Sequence, residues 1–207
     1  MMSLKPDSAT TCGLLGQVRQ GDPRALEDLL AHYRPAMRTF VQLHLDPRLA
    51  ARVDPSDVVQ EAQLEVVRRL DDFLECRPMP FHLWVRQTAY QRLLDLHRHH
   101  LHRARRSVSR EVALPDRSSL LLARPLLANG PSPSQRLHDR EVAERVSRAV
   151  AQLGDADREV LLMRHAEEMP FDEIGCLLGI APAAARKRFG RALIRLQKLL
   201  SEQGLVE

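Results

Sequence analysis

The chain has 207 residues, 44% of them hydrophobic and only 4% aromatic, with a net charge of +4. That length holds one large or two small packed domains, and the mild positive excess permits a nucleic-acid partner without requiring one. Three scattered cysteines, Cys12, Cys76 and Cys176, argue against a disulfide framework or a zinc site and fit a reducing cytoplasm; no apolar run is long enough to span a bilayer, and the amino terminus lacks the apolar core of a secretion signal.

Leu, Ala, Arg and Glu dominate and β-branched runs are almost absent, so the expected fold is all-α. Residues 1–20 read as a frayed terminus with a short helix around Leu14–Arg19. The first clear helix starts at Asp22–Pro23, a capping residue followed by a first-turn proline. Leu26, Leu29, Leu30 and Tyr33 are spaced for burial. Pro35 predicts a kink or restart, after which Met37, Phe40 and Val41 resume the apolar face. A polar connection leads to a second Asp–Pro start and a helix through Phe73. Its Val58, Ala62, Val66 and Leu70 stand four apart, which leaves Asp57, Gln60, Glu61, Glu65 and Arg68 outward. The prolines of Glu75–Pro80 mark a loop. A long basic helix follows from Phe81, with Val85, Ala89, Leu93 and Leu96 as its buried stripe and Arg86, Gln87, Gln91, Arg92 and Arg98 at or near the surface.

Residues 107–134 break the pattern with prolines, serines and Asn129–Gly130, and read as a linker carrying an apolar patch, LLLARPLL. A second domain is expected over 135–207, opening with a helix that ends at Gly154. The next helix is capped by Asp155. Then Phe171–Leu200 reads as two helices around a tight turn. Ile174, Leu177 and Leu178 give the first an apolar face. Gly179 sits where a left-handed stop is wanted, and Pro182 opens the second. The expected buried stripe of that helix is Ala185, Phe189, Leu193, Leu196 and Leu200, with Arg186, Lys187, Arg188, Arg191 and Arg195 on other faces. This is the layout of a DNA-binding helix-turn-helix, although an ordinary helical hairpin with a solvated basic face has the same spacing.

The order of these parts resembles the sigma-70 family of bacterial transcription initiation factors, in its short extracytoplasmic-function branch. Asp57-Val58-Val59-Gln60-Glu61 is similar to the Asp-x-x-Gln-Glu signature of the family's second region. Trp84-Val85-Arg86-Gln87-Thr88-Ala89, with Arg92-Leu93-Leu94-Asp95 and Arg98, is similar to the helix after it. Leu153–Leu200, including Arg158-Glu159-Val160 and Phe171-Asp172-Glu173-Ile174-Gly175, resembles the fourth region. The resemblance implies two small helical domains: a region-2-like domain over 1–106 and a region-4-like helix-turn-helix domain over 135–207.

It also implies roles. Asp57, Gln60 and Glu61 would bind a coiled coil on the largest-subunit clamp of core RNA polymerase. Arg77, His82, Arg86, Gln87, Gln91, Arg92 and Arg98 would recognise the −10 element, where a base leaves the duplex for a protein pocket. Trp84 fits the core better than a stacking wedge. Pro182, Ala183, Ala184, Arg186, Lys187, Arg188 and Arg191 would meet the −35 element in the major groove, the basic side chains at guanine edges or phosphates. Ala181 stands where the family usually has a serine or threonine cap, and Gly190 interrupts the helix. An anti-sigma protein is an expected partner, as is promoter DNA. No cofactor is expected. The histidines His97, His99, His100 and His102 lack nearby cysteine or carboxylate ligands, so no metal is expected either. No phosphate loop, nucleophile triad or metal-ligand spacing points to an enzyme. The alternative function is a free-standing helix-turn-helix regulator, which would have no use for the Asp57–Arg98 block.

Overall fold

A computed structural model describes residues 4, 6–45, 49, 52–104, 145–146, 148–150 and 152–202, with the backbone alone at 97 and 100–104. Every regular element among them is helical. The chain divides into two units, Met1–Glu111 and Val112–Glu207. The expected linker, its apolar patch and the start of the second domain lie outside the described residues, as do the side chains of His97, His100 and His102.

In the first unit, α1 spans Ala9–Arg19, longer than the sequence suggested. Ser8 starts it, its hydroxyl accepting from the Thr11 N–H at 3.2 Å. The terminus is not frayed here: Leu4 and Leu15 are buried in the core. Helix α2 spans Pro23–His44, capped by Asp22, whose Oδ1 accepts from the Arg24 N–H at 2.9 Å. It continues through Pro35 without a restart. Pro35 and Ala31, whose carbonyl loses its usual donor, both face water, and the Thr39 hydroxyl donates to the Pro35 carbonyl at 3.1 Å. On the opposite face Leu29, Tyr33, Met37, Phe40 and Val41 are buried. An interior proline costs about 3 kcal/mol, and burying each of these large side chains returns about 1.5–3 kcal/mol.

Helix α3 spans Pro55–Arg68, capped by Asp54. The expected continuation to Phe73 is interrupted at Arg69 (φ −108°, ψ 8°), and a separate α4 covers Leu70–Cys76. Arg77 ends it in the left-handed region, at φ 39°. Helix α5 spans Phe81–Ala104. Helices α2, α3 and α5 pack against one another, and α1 covers α2. Val58, Ala62, Val66 and Leu70 are buried as expected, joined by Val59. Trp84 belongs to the core, against Phe73 (ring centroids 4.7 Å apart) and Phe81 (5.7 Å).

In the second unit, helical residues among 145–152 precede α6 (Asp155–His165), α7 (Phe171–Leu178) and α8 (Pro182–Glu202). Arg158 ties α6 to the end of the preceding helical stretch, donating to the carbonyls of Val150 (3.2 Å) and Leu153 (3.0 Å). The Asp157 carboxylate on α6 pairs with Arg195 on α8. The buried line of α8 is Ala185, Ala192, Leu196 and Leu200, with Phe189 half-buried. Leu193, expected in that stripe, is instead 37% exposed. A step of four from Phe189 drifts off a 3.6-residue helix face, and a step of three returns to it.

Candidate functional site

The turn between α7 and α8 is built by close backbone approach. Gly179 closes α7 at φ 63°. The Ile180 N–H donates to the Gly175 carbonyl at 2.9 Å, and the Gly179 N–H to Cys176 at 3.3 Å, the paired bonds of a Schellman stop. Gly175 has no room for a side chain: a Cβ there would lie 2.7 Å from the Ile180 carbonyl oxygen and 3.2 Å from the Pro182 nitrogen. The Ala181 carbonyl accepts from the N–H groups of Ala184 and Ala185 at 2.9 and 3.0 Å, so Ala181 is the cap, through its backbone alone.

Helix spacing puts Ala183, Ala184, Lys187 and Arg191 on the side of α8 away from its buried line, with Arg186 and Arg188 on its two flanks. Pro182, Ala183, Ala184, Arg186, Lys187 and Arg191 are exposed and Arg188 is half-buried. Arg186 stands at the flank of this face, its guanidinium 5.3 Å from the centre of the Phe171 ring. Arg164 lies 5.0 Å from the same ring, and Phe189 packs edge-on to it at 5.6 Å. Phe171 therefore holds a contact surface for two arginines, which periodicity alone did not reveal. The first turn of α8 carries no acidic residue, so its N–H groups and dipole favour an anion.

In the first unit, Asp57, Gln60 and Glu61 are exposed on α3. They share their face with two large apolar residues missed in the sequence, Leu64 at 57% exposure and Val67 at 40%. Arg68, paired with Glu65 at 3.8 Å, completes a strip that is polar at its start and apolar at its centre. Leu64 falls seven residues after Asp57, two full turns along the same face.

The second cluster lies at the start of α5. Asp7, from the segment before α1, caps it from a distance of more than seventy residues. The Phe81 N–H donates to Asp7 Oδ2 at 2.7 Å and the His82 N–H to Oδ1 at 2.9 Å. The His82 Nδ1 lies 3.2 Å from Oδ1, and the Tyr33 hydroxyl donates to Oδ1 at 3.2 Å. Burial alone would raise the Asp7 pKa, but the bonds from His82 and the two backbone N–H groups outweigh it and hold the carboxyl below its ordinary range. Burial, aided by the nearby Asp7 charge, keeps the Tyr33 hydroxyl well above its ordinary range and so protonated.

Beside this cap is a cavity of about 170 Å³, lined by Asp7, Cys12, Leu15, Phe73, Arg77 and Phe81, together with Met79 and Pro80 of the α4–α5 loop. Of the seven residues expected at the −10 element, Arg77, Gln91 and Arg98 are exposed and Gln87 and Arg92 half-buried. Arg92 and Arg98 both pair with Asp95, at 3.0 and 3.6 Å. The surface placement of Arg86 is corrected, and His82, the other residue expected at the −10 element, is buried as well: each is only 3% exposed. His82 is turned inward by Asp7, and the Arg86 guanidinium lies over Phe40 (5.1 Å) and Tyr90 (5.8 Å). Among the described residues no group of histidine, cysteine and carboxylate side chains could hold a metal, and none of their helices is long and apolar enough to cross a membrane.

The family described as Sigma-70, region 4 matches residues 143–196, which include α6, α7 and most of α8. Over nearly the whole chain the protein is similar to two curated relatives. It is 29% identical over 187 residues to the RNA polymerase sigma factor CnrH of Cupriavidus metallidurans, covering 90% of this chain and 92% of that one. It is 28% identical over 202 residues to the ECF RNA polymerase sigma factor ShbA of Streptomyces griseus, covering 96% of this chain and all of the other. The fold is similar to that in a solved structure of CnrH in complex with the cytosolic domain of CnrY, with a TM-score of 0.54 and 23% identity over 91% of this chain and 96% of that one. Residues 143–196, which hold the helix-turn-helix, thus match region 4 of the sigma-70 family, and over nearly its whole length the chain is similar to RNA polymerase sigma factors, one of them of the ECF branch.

Proposed function

We propose that this protein binds core RNA polymerase in the cytoplasm and directs it to promoters, the first unit serving the polymerase and the −10 element and the second the −35 element. The observation that carries this reading is the presence of both surfaces in one chain: the exposed strip on α3 and the helix-turn-helix of α7 and α8. A free-standing regulator needs only the latter. The protein acts by binding, with no catalytic residue of its own.

The α3 strip would seat the clamp coiled coil. Asp57, Gln60 and Glu61 fix register on a basic partner helix, and Leu64 and Val67 supply apolar area that is half-exposed in the free chain. At the −35 element, Lys187, Arg188 and Arg191 would hold phosphates or guanine edges. Arg186 would reach the backbone from its seat on Phe171. Pro182, Ala183 and Ala184 let the helix approach closely but carry no hydrogen-bonding code, so readout falls to the arginines. At the −10 element, Arg77, Gln87, Gln91, Arg92 and Arg98 present polar groups to the opened strand, and the cavity by the α4–α5 loop would take an unstacked base. His82 and Arg86 would act from inside, holding the start of α5 in place. A regulatory protein that covers these faces, an anti-sigma factor, is the further partner we propose.

The test is transcription from DNA selected out of a random-sequence pool by polymerase reconstituted with this protein. A shared two-block motif and transcripts that need the added protein would support the reading. Selection of the same DNA by the protein without polymerase, with no transcripts, would support the free-standing regulator.

A further inference from the structure

Helix α5 has no side-chain cap of its own. Its first residue, Phe81, follows Pro80, whose side chain carries no hydrogen-bond acceptor. The Pro80 carbonyl accepts from the Leu83 and Trp84 N–H groups, both at 3.1 Å. The Phe81 and His82 N–H groups instead end on the Asp7 carboxylate, at 2.7 and 2.9 Å. Asp7 is itself held by Tyr33 of α2, whose hydroxyl donates to Oδ1 and lies 3.3 Å from the Thr11 hydroxyl of α1. One network therefore joins the segment before α1, α1 itself, α2 and the first turn of α5.

The segment that supplies this cap is lightly built. Leu4 and Leu15 hold it to the core, with Leu14 and Val18 packed in part. Helix α1 has 11 residues, and a helix this short is marginal without tertiary support. Gly13 and Gly16 stand in its interior, and each favours the unwound chain by about fivefold relative to alanine. Such a helix opens locally while the rest of its domain stays folded.

We propose that residues 6–19 form a releasable clip that sets the −10-reading helix, with Asp7 as its positioning residue. With the clip closed, Asp7 fixes the first turn of α5. With it open, that turn loses its cap and frays, and affinity for the opened −10 strand falls. Arg77 and Gln87, both expected at the −10 element, flank that turn. The α3 strip and the helix-turn-helix carry no part of the clip and keep their partners in either state. Strand recognition is therefore adjustable independently of polymerase attachment. The proposal rests on reading α5 as the −10 helix.

Two kinds of variant move the clip in opposite directions. Asp7→Ala removes the acceptor, and Asp7→Asn keeps one oxygen of it. Gly13→Ala/Gly16→Ala firms α1 from a distance: among the described residues nothing stands within 4 Å of either added Cβ, and neither glycine lines the cavity beside α5. Amide exchange of the full-length protein reads the clip itself. The Phe81 and His82 amides should exchange at least about threefold more slowly in Gly13→Ala/Gly16→Ala and faster in Asp7→Ala, with Asp7→Asn between. Polymerase reconstituted with each protein is then bound to DNA carrying its selected promoter with the −10 region already opened. Affinity should fall by about threefold or more in Asp7→Ala and by less in Asp7→Asn. Adding Gly13→Ala/Gly16→Ala to Asp7→Asn should recover part of that loss. Affinities for core polymerase and for −35 duplex should stay at the wild-type value throughout. Unchanged exchange at Phe81 and His82 in the glycine variant would overturn the clip, and this reading stands even if Asp7→Ala folds poorly. Equal losses of polymerase, −35 and −10 binding in Asp7→Ala would also overturn it, because Asp7 would then act only through folding. Wild-type −10 affinity in Asp7→Ala, with affinity lost in Gln91→Ala/Arg98→Ala, would overturn the clip and leave α5 as the −10 helix. No loss in Gln91→Ala/Arg98→Ala would overturn both.

Discussion

Gly175→Ala tests the physical account of the helix-turn-helix at a single atom. The added Cβ would lie 2.7 Å from the Ile180 carbonyl oxygen and 3.2 Å from the Pro182 nitrogen. Both are backbone atoms, so no side chain can swing away. The turn must open, and the 2.9 Å bond from the Ile180 N–H to the Gly175 carbonyl opens with it. Overpacking of this kind costs about 1–3 kcal/mol, after allowing that alanine is the better helix former by about 1 kcal/mol. Each kcal/mol lowers the melting temperature of a unit this size by about 4–8 °C. Gly190→Ala is the matched control: it lies inside α8, nothing stands within 4 Å of its added Cβ, and it should stabilise by up to about 1 kcal/mol. Thermal unfolding of the full chain, with amide exchange to localise the change to 171–202, reads both. Loss in Gly175→Ala and gain in Gly190→Ala is the expected result. A Gly175→Ala protein that melts with the wild type, with unchanged exchange across the turn, would refute the close-approach argument.

Further expectations follow from the same geometry. Asp7→Ala removes the acceptor for two N–H groups at the start of α5 and should destabilise the first unit by about 1–2 kcal/mol, measured by denaturant unfolding. Because the folded-state pKa of Asp7 lies below its ordinary value of 3.8, its contribution is complete above that value and is lost as pH falls through it toward the lowered one. Asp7→Asn should flatten that limb of the stability curve, and an unchanged acid limb would count against the cap. Arg188→Ala should weaken binding to −35 duplex and reduce its salt dependence by about one phosphate contact; wild-type affinity across a salt series would remove Arg188 from the interface. Phe171→Leu should lower −35 affinity by freeing Arg186, an effect absent in an Arg186→Ala background. Equal losses in the two backgrounds would mean that Phe171 acts only through packing.

Much of this architecture was legible from spacing. Val58, Ala62, Val66 and Leu70 stand four apart and are all buried, and Gly179 closes α7 in the left-handed conformation that only its lack of a Cβ makes cheap. Spacing failed where a long-range partner overrides residue type. His82 and Arg86 read as DNA contacts because they are polar, yet Asp7 and the rings of Phe40 and Tyr90 provide for them inside. Asp7 itself carried no local signal, since the N–H groups it satisfies lie more than seventy residues away. Pro35 does not restart the helix, because its cost is local while the apolar stripe that offsets it runs the length of α2. Leu193 was placed inside by a step of four from Phe189, but α8 buries the small Ala192 there and turns Leu193 outward. Gly175 was legible as part of a motif, and its reason, a carbonyl across the turn, was not. Leu64 and Val67 show the reverse case: apolar residues that size alone would place in the core stand on an outward face.

The central claim is that the exposed face of α3 docks on RNA polymerase. The most direct measurement is the affinity of purified core polymerase for the full-length protein, comparing wild type with Gln60→Ala/Glu61→Ala and with Leu64→Asp. Saturable binding that both variants weaken by about tenfold or more, with their melting temperatures unchanged, is the expected result. No binding by the folded wild type, or equal binding by all three proteins, would contradict the claim.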